Sequence, residues 1–305
     1  MPIKVSSHTY IGNGKIGVED RLSKSGFRYV GGSLELSLTI ESEEKTTPNL
    51  EDSSGGNLNK LTRISKVSGS LQLQEFKARN LAMALRANYI EEIGQPIVGE
   101  SKTLFSGSLM MFDKLVDYSQ PITIETDGQM WEASKAYVLD SVIIVDDVIY
   151  VCTTAGVSDA SQPVFDDTVG SITVDNAVSW KCLGIAVLAD GIDYQFTGTA
   201  IEIFESDKFE YGLPVLVNYT SNDSYRIEML TAGQREYSIA FAGINAADND
   251  APLPAILYRL KFDPVDGLPF KSDDFATLTL NFECFSDPTI VGTGMSKYGK
   301  FSMVK

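Results

Sequence analysis

The chain has 305 residues, 43% of them apolar and 10% aromatic, enough to bury a substantial core as one large domain or two smaller ones. Its 25 Lys and Arg stand against 41 Asp and Glu, a net charge of −16, so the surface repels nucleic acid and argues against a sequence-reading DNA-binding protein. No stretch approaches the ~18 apolar residues of a membrane helix, and the opening MPIKVSSHTY lacks a signal-like apolar run, so a soluble protein made in the cytoplasm is expected.

In chain order, GNGKIG at positions 12–17 reads as a flexible glycine-rich arm leading into the first sheet strand. Leu34, Leu36, Leu38 and Ile40 then alternate with Glu35, Ser37, Thr39 and Glu41, the period of a half-buried strand. Residues 42–60 are polar, contain glycines and are too long for an ordinary hairpin connection, so they are expected to form a loop that reaches a neighbouring molecule. A short strand follows at 70–74, with Leu71 and Leu73 opposing Ser70, Gln72 and Gln74. The spacing of Ala78, Leu81, Ala82 and Leu85 predicts a helix over 75–87 that packs across a sheet. Further strands are predicted at 104–112, 201–204, 215–219, 237–241 and 256–262. The last is at 278–284, where Leu278, Leu280, Phe282 and Cys284 alternate with Thr277, Thr279, Asn281 and Glu283. The fold class expected is mainly β, with one flanking helix.

Residues 130–185 differ in texture, holding both tryptophans, Cys152 and Cys182, and many acids against only Lys135 and Lys181 as bases. They read as a small β module inserted at the tip of a connection, where few contacts are disturbed. The domain plan expected is therefore 1–129, 130–185 and 186–305. Within the module, Asp146-Asp147 between VIIV and VIYVC reads as a two-residue hairpin turn.

Motifs for catalysis are sparse. The single histidine, His8, leaves little room for Ser-His-Asp, Cys-His or His-ligated metal chemistry. Cys152, Cys182 and Cys284 fit neither a disulfide framework nor a zinc site. GNGKIG matches the literal dinucleotide fingerprint, but no apolar strand precedes it and no helical stripe follows. The pairs Asp146-Asp147, Asp166-Asp167 and Asp273-Asp274 are adjacent, and in a strand they would point to opposite faces rather than converge on a scissile bond. The sequons at Asn218 and Asn222 matter only in a protein secreted by a eukaryote. No enzyme activity, cofactor or metal is expected.

The polar strand faces are more informative. Glu35, Ser37, Thr39, Glu41, Ser70, Gln72, Gln74, Thr277, Thr279, Asn281 and Glu283 include no Lys or Arg, whereas exposed sheet faces ordinarily mix both signs. A wall of hydroxyl, amide and carboxylate groups suits a water-filled channel for a polyanion, which would slide past it for want of cationic anchors. Glu35, Ser37, Thr39, Gln72, Thr279, Asn281 and Glu283 are the candidate channel-facing residues.

The runs YIGNGKIGVEDR and FRYVGGSLELSL, the series GIDYQF, IEIF and GLPVLVNYT, and the C-terminal stretch from YSIAFAGINAADNDAPLPAILYRLKFDP to GMSKYGKFSMVK resemble the major tail tube proteins of long-tailed, non-contractile bacteriophages. The segment MWEASKAYVLDSVIIVDDVIYVCTTAG, with QPVF and VSWKCLG, is similar to small β modules of phage structural proteins that are related in pattern to chitin-binding modules. The first resemblance implies a β-sandwich or barrel-forming subunit, six copies per ring, and rings stacked into a hollow virion tail tube assembled in the host cytoplasm. Implied partners are further copies of the chain, a tape-measure protein, tail terminator and tail tip proteins, and double-stranded DNA passing through the lumen, with no membrane. The second resemblance implies a module on the tube exterior whose Trp131, Tyr137, Tyr150 and Trp180 either stack on host-surface glycans or supply the module's own core, and it opens the alternative of a carbohydrate-binding adhesin. Cys152 and Cys182 are candidates for a cross-strand pair, although cytoplasmic assembly favours thiols.

Overall fold

The computed structural model describes residues 9–51 and 55–304, so His8 and residues 52–54 lie outside what is described. The protein is mainly β, with a single α-helix among the described residues. Its chain divides into two compact units, one of Met1–Ile90 with Tyr225–Lys305 and one of Glu91–Ser224.

The first unit is built on a nine-stranded sheet with the order Arg28–Tyr29, Gly12–Asp20, Tyr237–Asn245, Ala255–Phe262, Leu278–Cys284, Asn57–Leu73 and Ser33–Pro48; Ala251–Pro252 and Gly299–Phe301 attach beside this path. GNGKIG is not a flexible arm: it opens the strand Gly12–Asp20, which pairs along its whole length with Tyr237–Asn245, from Gly12 opposite Asn245 to Asp20 opposite Tyr237. The glycines reflect a close approach of backbones rather than a phosphate cradle. At Gly14, with φ of 152°, a Cβ would lie 2.3 Å from the Ala242 carbonyl oxygen of the partner strand.

Alternation along these strands sends Leu71, Leu73, Leu278, Leu280, Phe282 and Cys284 into one core with Ile16, Val18, Ile239 and Leu260. Each of the Leu, Ile, Val and Phe side chains contributes about 1.5–3 kcal/mol when fully buried. The helix spans only Ala78–Ala84, shorter than the 75–87 expected. Lys77 at its N-cap offers no side-chain acceptor, and Arg86 with φ of 46° has already left helical geometry. Of the expected stripe Ala78, Leu81, Ala82 and Leu85, Ala82 is buried and Leu81 packs against the core, and Asn80, Met83 and Ala84 are buried besides. Burying an amide there is satisfied by hydrogen bonds from Asn80 Nδ2 to the carbonyls of Val30 (2.8 Å) and Glu75 (3.0 Å).

Residues 42–48 and 57–60 extend a long hairpin rather than forming a loop. Ser33–Pro48 and Asn57–Leu73 stay paired from Ser33 opposite Leu73 to Pro48 opposite Asn57. Polar residues deceive here because a two-stranded ribbon in water has no core face to alternate with. It is held by opposite charges facing each other, Glu41 opposite Lys66 and Glu43 opposite Arg63, and by the Lys60–Glu44 ion pair at 2.6 Å.

The second unit contains two three-stranded sheets, Pro96–Leu104, Leu213–Thr220, Thr123–Thr126 and Tyr194–Phe196, Ala200–Ile203, Leu109–Met111, together with a five-stranded sheet and a small strand pair. The single strand expected at 104–112 is broken by a turn at Gly107, φ 66°, where Ser108 donates to the Phe105 carbonyl. The five-stranded sheet runs Ile172–Asp175, Val178–Ile185, Val148–Thr154, Val142–Val145 and Gln129–Met130. Asp146 and Asp147 form its hairpin turn, both with positive φ (50° and 61°), the type I′ geometry expected of a two-residue turn.

The domain boundaries differ from those expected, because the breaks at 129/130 and 185/186 fall inside the second unit. The reason is legible in one strand. Along Val148–Thr154, Ile149 and Val151 enter the core shared with Leu104, Ile201, Leu213 and Val215, while Tyr150 and Cys152 enter a second core with Trp180. A sheet buried on both faces reads as a continuous apolar run, and it ties 130–185 to its flanking residues. Cys152, Cys182 and Cys284 are all buried free thiols, and burial pushes the Cys284 thiol up to about 11.

Candidate functional site

Strand register assembles the candidate channel-facing residues into one patch. Across the neighbouring strands Ser33–Pro48, Asn57–Leu73 and Leu278–Cys284, three rungs line up: Glu35–Gln72–Thr279, Ser37–Ser70–Asn281 and Thr39–Ser68–Glu283. All seven candidates therefore lie on a single face, opposite the leucines of the core. The Ser37 and Ser70 hydroxyls share a 2.8 Å hydrogen bond, Gln72 Nε2 donates to Thr277 Oγ1 at 3.3 Å, and Asn281 Nδ2 donates to Asp266 Oδ2 at 3.0 Å. Glu35 and Glu283 supply its two carboxylates. The patch thus presents acceptors and neutral dipoles, Ser37 and Ser70 engaging each other and Gln72 and Asn281 engaging Thr277 and Asp266 beside it.

What alternation within single strands did not reveal is how this face continues on the next strand. Lys261 lies opposite Glu283, and Arg259 follows two residues earlier on the same face. Glu236 neutralises them: Arg259 donates from Nε at 2.9 Å and from Nη2 at 2.6 Å, and Lys261 approaches at 3.8 Å. The hydrogen bond from Arg259 holds the Glu236 carboxyl below its ordinary value, outweighing the opposite pull of burial. The alternation of Arg259, Leu260 and Lys261 was visible in the sequence, but only register reveals that they adjoin Glu283.

The margins of the sheet are the second feature. Ser33–Pro48 is terminal in the strand order, so one edge of a 16-residue strand has no strand partner among the described residues. At the other end, Arg28–Tyr29 covers only Gly17 and Val18 of the strand Gly12–Asp20. Both margins border one groove of about 580 Å³, with Gly14 and Ile16 on one side, Leu36 and Leu38 on the other, and Phe241 and Leu257 between. Beyond the core the hairpin carries uncovered apolar side chains, Ile40 being 61% and Ile64 59% exposed, with Leu58 and Leu61 also exposed.

The aromatic candidates in the second unit are differently placed. Tyr137, Tyr150 and Trp180 are buried in one hydrophobic cluster, with Tyr137 and Trp180 edge-to-face at 4.8 Å, leaving no ring face for a sugar. Burial raises the Tyr150 phenol to about 12. Only Trp131 is partly exposed, and its indole donates to Asp175 Oδ2 at 2.8 Å. The same carboxylate oxygen accepts from Trp180 Nε1 at 3.0 Å, and its other oxygen accepts from the Asp159 backbone at 2.8 Å. These residues form a structural knot. Among the described residues no group of three or more His, Cys, Asp or Glu side chains is placed to hold a metal ion, and no helix is long and apolar enough to cross a membrane.

A family model described as protein of unknown function UCP028589 matches residues 9–165 and 169–302, spanning both compact units. The chain belongs to this family. A search of curated proteins returned no match.

Proposed function

We propose that this chain is a non-enzymatic structural subunit that assembles with copies of itself, as a tail tube protein of a long-tailed, non-contractile bacteriophage. Six copies form a ring, rings stack around a tape-measure protein between tail terminator and tail tip proteins, and DNA leaves through the lumen. The observation that carries this reading is the pair of strand margins left open at the two ends of one sheet. An open edge is a template for another chain unless it is blunted, and joining one margin to the opposite margin of the next copy is a head-to-tail contact that closes around an axis. The exposed hairpin supports the same reading, because a two-stranded ribbon is at best marginally stable in water without another surface. The rungs ending in Thr279, Asn281 and Glu283 line the lumen, where DNA meets like charge and no Lys or Arg on those three rungs.

Electron microscopy of the concentrated full chain tests the reading directly, with rings or tubes expected. Lone monomers at every concentration would overturn it. In a second variant, residues 43–63 are replaced by Asn-Gly, which joins Ser42 to Ile64, a facing pair, through a two-residue turn. This variant is expected to remain a folded monomer, and normal tubes from it would remove the hairpin from the assembly contact.

A further inference from the structure

In a chain of net charge −16, one cavity of the first unit gathers cations. It is about 410 Å³ in volume, within the range of ligand sites, and Arg28, Tyr29, Arg79, Asn80, Tyr89 and Arg235 line it. Arg235 is neutralised by Asp20 at 3.2 Å and also donates to Asn88. Arg79 reaches only the Tyr89 hydroxyl, at 3.4 Å, and Arg28 has no side-chain partner among the described residues. Over the Tyr29 ring sit Lys15 at 5.7 Å and Lys77 at 5.4 Å, and Lys77 is paired to Glu75. Glu19, on the neighbouring strand, is engaged by the Gly26 backbone N–H. Arg28, Arg79 and Lys15 are therefore cations without carboxylate partners, set beside two exposed tyrosine rings.

The same unit carries a segment of matching chemistry. Residues 263–277 run between two sheet strands with no regular structure, which is long for a connection inside a compact domain. Their first part is anchored, with the Val265 N–H on the Ala84 carbonyl and Val265 and Leu268 against the core. The part from 270 to 275, Phe-Lys-Ser-Asp-Asp-Phe, is not. Phe270 is 89% exposed and Phe275 fully exposed, and neither Asp273 nor Asp274 has a side-chain partner among the described residues. Two bare phenylalanines flanking two unpaired carboxylates cost solubility unless another surface covers them.

We propose that residues 270–275 of one copy dock into the Arg28/Arg79 cavity of a second copy, with Asp273 and Asp274 on the two guanidinium groups and Phe275 against Tyr29 and Tyr89. Arg is suited to this role because its planar fork takes carboxylates and stacks on rings together. Plug and cavity are different surfaces of one unit, so the contact is head-to-tail and extends to a ring or filament. The proposal rests on the self-assembly reading and specifies one of its contacts.

Charge reversal in the full chain tests it, read by sedimentation velocity and electron microscopy. Arg28→Glu/Arg79→Glu gives a copy with acidic cavity and acidic plug, and Asp273→Arg/Asp274→Arg gives one with basic cavity and basic plug. Each alone is expected to associate about tenfold or more weakly than the unaltered chain. An equimolar mixture of the two is expected to recover assembly, since each cavity then meets a plug of opposite sign. Reversal variants that assemble like the unaltered chain would overturn this contact and leave self-assembly standing, whereas failure of the unaltered chain to assemble would take down both. Loss of assembly without recovery in the mixture would also overturn it. A thermal shift of the unaltered chain with inorganic phosphate, absent in Arg28→Glu/Arg79→Glu while assembly is unaffected, would assign the cavity to a free oxyanion and reject the second copy.

Discussion

Asp175 is the polar centre of the smaller core of the second unit. Its buried carboxylate accepts from the indoles of Trp131 and Trp180 and from the Asp159 backbone, so one side chain closes three donors around the smaller core. Removing it leaves the buried Trp180 donor unpaired, at a cost of about 1–3 kcal/mol, while Trp131 retains access to water. Asp175→Ala is therefore expected to lower the urea midpoint of the transition seen by tryptophan fluorescence. Both tryptophans of the chain lie in this core, so the probe reports it selectively. An unchanged midpoint would show that the carboxylate is not what closes the core. The aromatics of this region were conspicuous in the sequence and a core role was one of their two readings; which of them are sealed was not legible, because burial on both faces of a sheet depends on what packs against each face.

At the scale of elements, two ion pairs fasten the first unit around the sheet. Glu236 is held low by its hydrogen bonds from Arg259 against burial, and Asp287, although burial pushes it up, is carried below its ordinary value by hydrogen bonds from Thr289 and Arg21. A carboxyl with a depressed folded pKa adds stability that is complete above its unfolded value and disappears as pH falls through the folded one. Acid is thus expected to weaken this unit below the ordinary carboxylate values of 4.5 and 3.8. Glu236→Gln, which has no proton to gain, is expected to show a shallower fall of melting temperature with decreasing pH, and an identical slope would contradict the assignment. Strand periodicity was readable for several of the longer buried strands, and the strand at Leu278–Cys284 coincides with its alternation. The hairpin and the first strand escaped notice because paired ribbons with exposed faces need no apolar alternation, and glycines that mark close backbone approach look like those of a mobile arm.

For the whole molecule, the proposed channel turns on the sign of charge on one sheet face. Glu35 and Glu283 are its acids, on rungs separated by Ser37–Ser70–Asn281. If smooth passage depends on like charge, Glu35→Lys/Glu283→Lys is expected to leave tubes intact and slow genome release from assembled particles, because each added lysine offers a phosphate anchor. Release at the unaltered rate from normal tubes would dismiss charge as the basis of passage. Arg259 and Lys261 already border this face, and their neutralisation by Glu236 predicts that Glu236→Gln slows release in the same direction.

Composition and alternation alone determined that the protein is mainly β and that certain strands carry a polar face without cations. These are local properties, set by side-chain period and residue type. Tertiary structure decided which polar faces share a rung, where 91–224 separates from the rest, and that Arg28 and Arg79 meet in one cavity. Register and packing are pairings between residues distant in the chain, and a one-residue shift reverses every face, so no local pattern contains them.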